Sequence, residues 1–271
     1  MERLEKILKN IDRNGLGVEI GPSHNPVAPR KDGYHVEVID HLTRDQLVSK
    51  YEGHGVALEN IEEVDYVWRG EKYTELTGKS KYYDWIIASH VIEHSPDLIG
   101  FLVGCDGILK DGGVVSLVVP DKRFCFDHYR PITGLGKIVD AHLTPQSIHS
   151  AGNVAEYYLN VVSKAGNIAW GARSPGVYAC VHSAGDASNG IKSVLEHGAY
   201  IDIHAWCFVP HSFRLIIDDL YTLGLIAFRE LDFFPTEGCE FYITLGRGGD
   251  GPGLSRLELL EEIERELSNS N

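Results

Sequence analysis

The chain has 271 residues, of which 43% are hydrophobic, enough to bury the core of one large α/β domain or of one domain with an insertion. Its 39 acidic residues outnumber 25 lysines and arginines, and a formal charge of -14 argues against a nucleic-acid partner. Five scattered cysteines without a C-x-x-C pair favour neither a disulfide framework nor a zinc knuckle, and no stretch approaches the roughly 20 apolar residues of a membrane span, so we expect a cytoplasmic protein without a membrane partner.

The N-terminal residues have the pattern of a short amphipathic helix. Leu4, Ile7, Leu8 and Ile11 recur at helical spacing, which places them on one face, and Asn14-Gly15 ends the helix. The segment is charged and lacks a long apolar core, so we do not interpret it as a signal peptide.

Two apolar runs follow, and each ends in residues suited to a ligand crevice. Residues 17–20 end in a sharp turn at Gly21, and residues 36–39 end at Asp40. In an open parallel sheet the ligand lies beyond the carboxyl ends of the strands. There a tight turn lets the backbone approach, and an acid after the second strand accepts the ribose hydroxyls. The sequence therefore predicts a nucleotide-type site.

The turn after the first strand differs from a dinucleotide fingerprint. Such a fingerprint has three glycines, whereas here Pro22 and Ser23 follow a single glycine. A ligand without a pyrophosphate needs only a tight turn and a carboxylate that binds its positively charged group. Glu19 is suited to be that carboxylate. An NAD-dependent sugar oxidoreductase would share the Asp40 argument, but the missing glycines disfavour it.

The chain then alternates between predicted strands and helices. Thr43 is a suitable N-cap, the third strand ends near the carboxylate of Glu71, and the fourth strand opens into Ser89-His90. The predicted elements are a helix over 44–50, strands over 64–68 and 83–88, a helix from about 95 to 109, and a strand over 114–119. Alternation of this kind predicts a doubly wound α/β sheet.

Four motifs in this order resemble the class I S-adenosylmethionine-dependent methyltransferases, and more narrowly their methyltransferase-11-like branch. The motifs are Val18-Glu19-Ile20-Gly21, Ile39-Asp40-His41, the run from Tyr83 to His94, and the run from Ile108 to Gly113. The block from Val119 to Pro131 is similar to members linked with sugar and surface-polysaccharide modification. The resemblance covers roughly residues 14–123 and, more weakly, 208–247. It implies a Rossmann-like seven-stranded mixed sheet with an antiparallel last strand, and S-adenosyl-L-methionine as the cofactor.

The same resemblance implies roles for residues at the strand ends. Glu19 would face the methionyl amino group, and Asp40 would take both ribose hydroxyls. Glu71 is assigned to the adenine edge, and Ser89 with His90 to the methyl-transfer side. The full set of expected cofactor contacts is Glu19, Gly21, Pro22, Asp40, His41, Glu71, Ser89 and His90.

Residues 124–207 depart from the alternation and are rich in Gly, Ser, Tyr and His. We interpret them as an insertion within a single domain over 1–271. Because the insertion follows the fifth strand, it lies over the crevice and suits a substrate lid. The sequence predicts a helix over 153–164, turns around 171–190, a helix over 210–220, a closing antiparallel hairpin over 225–234 and 239–246, and an acidic amphipathic helix over 254–267.

Thirteen histidines raise the question of a bound metal. Those of the insertion show neither the i, i+4 pairing nor the close spacing by which a metal site is recognised. We therefore predict no metal, and treat these residues as hydrogen-bonding groups or as candidates for a base. They are His128, His142, His149, His182 and His204.

Methyl transfer to a hydroxyl requires alignment of the acceptor with the methyl group and removal of one proton. A histidine oriented by a carboxylate suits that task at neutral pH. His128, preceded by Asp127, has the shortest tether to the fifth strand. His90 at the tip of the fourth strand is the second candidate, and His142 is the third. We expect the catalytic residues to be among these four.

The sequence thus predicts an O-methyltransferase that acts on a small polar acceptor, such as a hydroxyl of a sugar or nucleotide-sugar. The aromatic, His-rich insertion suits a carbohydrate or a phosphorylated molecule. One alternative is a catalytically degenerate protein that binds S-adenosylmethionine or another adenosyl ligand, which the missing glycines favour. Another is N-methylation of a small metabolite. The acidic C-terminal helix is a solvated face or a partner contact, which allows a homodimer.

Overall fold

The computed structural model describes residues 1–144 and 147–269, so two residues of the predicted insertion and the last two of the chain lie outside the described residues. The strands are β1 (Leu16–Ile20), β2 (His35–Asp40), β3 (Tyr66–Val67), β4 (Tyr83–Ser89), β5 (Leu109–Pro120), β6 (Val162–Lys164), β7 (Tyr178–Cys180), β8 (Arg229–Glu237) and β9 (Glu240–Gly246). The helices are α1 (Arg3–Leu8), α2 (Arg44–Tyr51), α3 (Tyr73–Thr77), α4 (Leu98–Ile108), α5 (Leu135–Leu143), α6 (Ala151–Asn160), α7 (Ala184–His197), α8 (Pro210–Thr222) and α9 (Arg256–Ser268).

Seven strands form one mixed sheet in the order β3-β2-β1-β4-β5-β9-β8. Strands β1 to β5 pair in parallel, and β9 runs antiparallel to both of its neighbours, β5 and β8. This architecture confirms the predicted doubly wound α/β fold with a seven-stranded mixed sheet, in which β9, the last strand of the chain, is antiparallel. In the sheet, β2 lies on one side of β1 and β4 on the other, so the strand order reverses between β1 and β4. Ligands of such sheets bind at this point, beyond the carboxyl ends of the two strands.

The centre of the sheet is buried because helices cover both of its faces. Strand β4 carries an unbroken apolar run, and its residues from Trp85 to Ala88 are at most 1% exposed. A continuous run of this kind is typical of a parallel strand that is covered on both sides. Gly17 lies opposite Trp85 in the register, and a Cβ atom at this glycine would lie 2.1 Å from the indole ring. Because Gly17 has no side chain, β1 leaves room for the indole of Trp85, one of the largest side chains of the core.

Most predicted elements are present with shifted ends. Thr43 caps α2 as predicted, since its side chain accepts a hydrogen bond from the backbone of Gln46. The N-terminal helix is shorter than predicted and ends at Leu8, and β3 has only two residues. Strand β5 begins at Leu109 rather than at residue 114, because the Gly112-Gly113 pair continues the strand instead of separating it from α4. None of the helices in the described parts of the chain has both the length and the apolar character of a transmembrane segment.

The insertion contains more regular structure than its sequence predicts. The predicted helix ends at Asn160 and is followed by β6, which pairs antiparallel with β7. Helix α7 occupies a stretch that was predicted to be rich in turns. It begins at Ser183 with a capping box to Asp186, and its Gly190 lets Val154 and Tyr158 of α6 approach to 2.9 Å from where a Cβ atom would lie. Small residues that disfavour an isolated helix here allow two helices to pack closely.

The insertion leaves and rejoins the sheet at neighbouring positions. Asp121, directly after β5, forms a parallel bridge with Phe208, and the amide of Lys122 donates to the carbonyl of Phe208 at 2.9 Å. The predicted role of the insertion as a substrate lid stays a prediction.

Candidate active site

The turn after β1 is held close to the loop after β4. Gly21 has φ of 64°, a left-handed conformation that glycine adopts without strain, and its amide donates to the carbonyl of Ile39 at 2.8 Å. A Cβ atom here would lie 2.8 Å from the side chain of Val91. Gly21 therefore lets the turn lie close to the loop after β4, and its predicted approach to the cofactor stays a prediction.

Glu19 is buried, and it braces the loop that follows the turn. Its two carboxylate oxygens accept the amides of Val27 at 2.6 Å and Ala28 at 3.0 Å. Burial raises the pKa of Glu19 to about 7, although both amide bonds oppose this shift. The carboxylate thus fixes the path of residues 22–28, and its predicted contact with a methionyl amino group stays a prediction.

Asp40 ends β2 at the predicted position beside the crevice. One of its carboxylate oxygens accepts the amide of Ser23 at 3.2 Å, and the other lies 2.7 Å from both the amide and the Nδ1 atom of His41. The side chain is 0% exposed. A ribose therefore reaches this carboxylate only when Ser23 or His41 moves aside.

A chain of polar contacts connects this strand end to the insertion. Lys50 Nζ lies 3.2 Å from His41 Nε2 and 3.6 Å from a carboxylate oxygen of Asp202. The other oxygen of Asp202 lies 2.8 Å from His94 Nδ1, and the pKa of Asp202 is lowered by His94 and, further away, by Lys50. Because Asp202 belongs to the insertion and His94 to the loop after β4, the insertion contacts the mouth of the crevice.

The residues after β4 meet the N-terminal helix and the start of β9. Arg3 donates to Ser89 Oγ at 3.1 Å and to Glu240 at 2.6 Å, and His90 Nε2 lies 2.7 Å from the other oxygen of Glu240. Burial lowers the pKa of His90, but the bond to Glu240 and the charge of Glu93 outweigh it and raise the pKa above the ordinary value. His90 is thus held by a carboxylate that favours its charged form.

A buried cluster of carboxylates and histidines lies just beyond this strand. Glu93 is fully buried, and neither of its oxygens has a hydrogen-bond partner among the described residues. His204 Nε2 lies 3.8 Å from Glu93, and His204 Nδ1 lies 2.5 Å from Asp127. Arg130 donates to Asp127 at 2.8 Å and to Glu156 at 3.0 Å. Burial disfavours the Asp127 anion, yet His204 and Arg130 lower its pKa to about 2.

His128 lies apart from this cluster, in an aromatic environment of the insertion. Its Nδ1 atom lies 2.8 Å from the carbonyl of Arg123, and its ring stacks on Tyr178 with centroids 4.8 Å apart. A carbonyl only accepts, so Nδ1 carries the proton and Nε2 keeps its lone pair. Burial lowers the pKa of His128 below its ordinary value. A cavity of about 210 Å³ borders its ring, together with Lys164 and Trp170.

The two remaining predicted residues lie outside the cluster. Glu71 is exposed, and its carboxylate accepts a hydrogen bond from the amide of Arg69 at 2.7 Å. The loop that carries Glu71 is held beside β2, because the amide of Trp68 donates to the carbonyl of Asp40. His142 lies on α5, with Nδ1 at 2.9 Å from Asp97, the N-cap of α4. Their predicted roles at the adenine edge and as a base stay predictions.

Sequence reasoning missed the association of Glu93, His94 and Asp202 with His204. Glu93 and His94 end the motif that runs from Tyr83 to His94, and His204 is one of the histidines of the insertion. The two groups are about 110 residues apart, so no local spacing connects them. The usable signal was a Glu-His pair directly after a buried parallel strand, where side chains point toward the crevice.

Comparisons with known proteins match the fold at low similarity. Neither a protein-family model nor a curated protein matches the chain. The structure of the trans-methyltransferase CalH in complex with SAH is 14% identical, with a TM-score of 0.43 over 89% of this chain and 53% of the other. The PH0226 protein from Pyrococcus horikoshii OT3 is 14% identical, with a TM-score of 0.40 over 90% and 89% of the two chains. A putative Zn-dependent alcohol dehydrogenase from Rhodobacter sphaeroides is 11% identical, with a TM-score of 0.45 over 90% and 88%.

The chain spans about half the length of the CalH chain that it matches.

Proposed function

We propose that the protein is an S-adenosylmethionine-dependent methyltransferase that methylates a hydroxyl of a small polar acceptor, such as a sugar or nucleotide-sugar. The observation that carries the proposal is the arrangement at the switch point of the sheet. The Gly21 turn, Asp40 and His90 lie at the carboxyl ends of β1, β2 and β4, which are neighbours in the sheet. This edge is where a doubly wound sheet binds nucleotide-like ligands.

The acidic character of the crevice supports a cationic cofactor. Asp40 is a buried carboxylate at the end of β2, and Asp202 approaches from the insertion. A sulfonium is stabilised by nearby carboxylates, whereas a pyrophosphate is repelled by them. The single-glycine turn agrees with this preference, since it offers no open helix start for a diphosphate.

The cavity beside His128 supports a phosphorylated carbohydrate as the acceptor. Trp170 and Tyr178 offer aromatic faces, while Lys164 brings positive charge to the same cavity. Aromatic faces suit the apolar face of a sugar ring, and guanidinium or ammonium groups bind phosphate oxygens. The cavity of about 210 Å³ is the size of a small molecule fragment rather than of a protein segment.

Among the predicted bases, His128 is the best suited to accept a proton. A base at neutral pH needs a free lone pair and an imidazole that is uncharged before reaction. His128 has both, because the Arg123 carbonyl holds Nδ1 and burial lowers the pKa. His90 lies against Glu240, which raises its pKa and favours its protonated form, and His142 Nδ1 is held by Asp97. His128 therefore stays the first candidate for the base.

Calorimetric titration of the purified chain with S-adenosylhomocysteine and, separately, with NAD tests the proposal. We expect saturable binding of S-adenosylhomocysteine and no heat from NAD. Saturable binding of NAD without binding of S-adenosylhomocysteine would overturn the methyltransferase proposal in favour of an oxidoreductase. Binding of S-adenosylhomocysteine without turnover on any sugar phosphate or nucleotide-sugar would leave the degenerate ligand-binding protein as the better description.

A further inference from the structure

We propose that Glu93, His94 and His204 form a binding site for a divalent transition-metal ion, with Zn²⁺ as the best-suited ion, which ties the insertion to the loop after β4. One ligand atom from each residue lies within 4.8 Å of the other two. Two imidazole nitrogens and one carboxylate oxygen are a ligand set that zinc accepts, and they leave a fourth position open. The site is independent of the proposed methyl transfer.

The carboxylate of Glu93, which accepts no hydrogen bond among the described residues, is the first argument for a cation. It is fully buried. His90 is outside the proposed ligand set, and its Nδ1 lies 3.6 Å from one oxygen of Glu93, beyond hydrogen-bond distance. A buried carboxylate that accepts no hydrogen bond is unfavourable, because the interior does not replace the water that it loses. A cation placed between Glu93 and the two imidazoles supplies the missing partner.

The orientation of His204 is the second argument. Its Nδ1 atom lies 2.5 Å from Asp127, so the proton of the neutral ring belongs on Nδ1 and the lone pair of Nε2 faces Glu93 at 3.8 Å. Two acceptors that face each other in a buried site leave room for a cation. Asp202 also lies near a ligand-bearing histidine, with an oxygen 2.8 Å from Nδ1 of His94. Carboxylates that orient histidines through the second ring nitrogen are usual around metal ions in proteins.

The distances fit an ion after a small adjustment. Zinc binds nitrogen and oxygen at about 2.0–2.2 Å, which places two ligand atoms roughly 3.4 Å apart in a tetrahedral site. The separation of 3.8 Å between His204 and Glu93 is already close to this value. Since no pair exceeds 4.8 Å, a shift of about 1 Å completes the set. His94 is partly exposed and lies on a short turn beside Asp202, so a change of its side-chain torsions makes that shift.

The backbone already holds the two ligand-bearing segments together. The amide of Ala205 donates to the carbonyl of Glu93 at 2.7 Å, and Trp206 Nε1 donates to the carbonyl of Ser95 at 2.7 Å. An ion bound here would therefore join two segments that are in contact, rather than draw distant ones together. Binding to this prearranged site would stabilise the native state and fix the insertion over the crevice.

Titration of the chelator-treated, tag-free chain with Zn²⁺ alone tests the site, with calorimetry for affinity and thermal unfolding for stability. We expect one ion per chain and a melting temperature that rises with zinc concentration. His204→Ala and His94→Ala should abolish both effects, and Asp202→Asn should weaken binding by about 10–100-fold, as is usual for residues that orient a ligand. If His204→Ala does not fold, His94→Ala still tests the site, because His94 is partly exposed and its replacement should not prevent folding. His197→Ala, an exposed histidine of the same insertion, is the matched control and should bind zinc as the parent does.

Two results would overturn the metal site. One is the absence of zinc binding by the folded parent chain, which would mean that protons on the histidines pair with Glu93. The other is binding by His94→Ala and His204→Ala that equals binding by the parent, which would place the zinc elsewhere. Since neither measurement involves the cofactor or an acceptor, the outcome is independent of the test of methyl transfer.

Discussion

Arg130 donates to Asp127 at 2.8 Å, and the guanidinium side chain is 0% exposed while the carboxylate is 2% exposed. Removal of one partner from such a pair leaves an uncompensated buried charge, which costs about 3–5 kcal/mol. We therefore expect Arg130→Ala to lower the free energy of unfolding in urea by that amount. The control is Arg265→Ala, which removes a mostly exposed ion pair on α9. It should change the free energy of unfolding by no more than about 1 kcal/mol. Equal effects of the two substitutions would mean that the buried pair contributes no more than a surface pair.

The contact between Gly17 and Trp85 predicts that β1 tolerates no side chain at this position. A Cβ atom at Gly17 would lie 2.1 Å from the buried indole, so Gly17→Ala must displace the ring or the strand. Overpacking of a core typically costs about 1–3 kcal/mol, and a clash with an immobile ring belongs at the upper end. Gly112→Ala is the matched control, because nothing lies within 4 Å of its added methyl group. Thermal unfolding of both variants checks the prediction, and equal melting temperatures would contradict it.

Glu19 makes stability depend on pH between its unfolded and folded pKa values. The folded pKa of about 7 lies above the ordinary 4.5, so the native state binds a proton more tightly than the unfolded chain does. The stabilisation that protonated Glu19 gives to the native state is complete below pH 4.5 and is lost as the pH rises through 7. The free energy of unfolding should therefore fall by about 3 kcal/mol over this range. Urea unfolding at several pH values should show a flatter profile for Glu19→Gln. The exposed Glu59→Gln should keep the profile of the parent, and an unchanged profile in both would contradict the prediction.

Asp40 should be required for binding of the adenosyl ligand. Its replacement removes the charged acceptor at the end of β2, and loss of a charged hydrogen-bond partner costs about 1.5–3 kcal/mol. We expect Asp40→Ala to weaken S-adenosylhomocysteine binding by roughly 10–150-fold in calorimetry. Asp45→Ala, on the exposed first turn of α2, should leave the affinity unchanged. Unchanged affinity in Asp40→Ala would mean that the ribose does not lie at the end of β2.

The role of His128 predicts a separation between turnover and cofactor binding. His128→Ala should lose about two to four orders of magnitude in turnover, the usual range for removal of a general base, and keep its affinity for S-adenosylmethionine. His90→Ala and His142→Ala should lose less, because carboxylates hold both imidazoles. If all three variants keep near-normal turnover, the proton leaves by another route and the acceptor need not be a hydroxyl.

The sheet could be predicted from the sequence because its signals are local. The apolar run of β4, the Thr43 cap of α2 and the Asp40 that ends β2 each depend on residues within one element, and all three occur in the structure. Helix α7 could not be predicted, because its small residues favour a helix only when α6 is packed against Gly190. The association of Glu93 with His204 depends on where the insertion returns to the sheet, which no local pattern encodes.

The bridge between Asp121 and Phe208 gives the molecule a modular construction. The chain leaves the sheet after β5 and rejoins it beside the same point, so the insertion can change in length without any change in strand order. Segments whose ends lie together are readily gained, lost or exchanged, because the parent fold keeps its connectivity. The part that carries the aromatic cavity can therefore diversify in evolution while the strand ends that form the crevice stay unaltered.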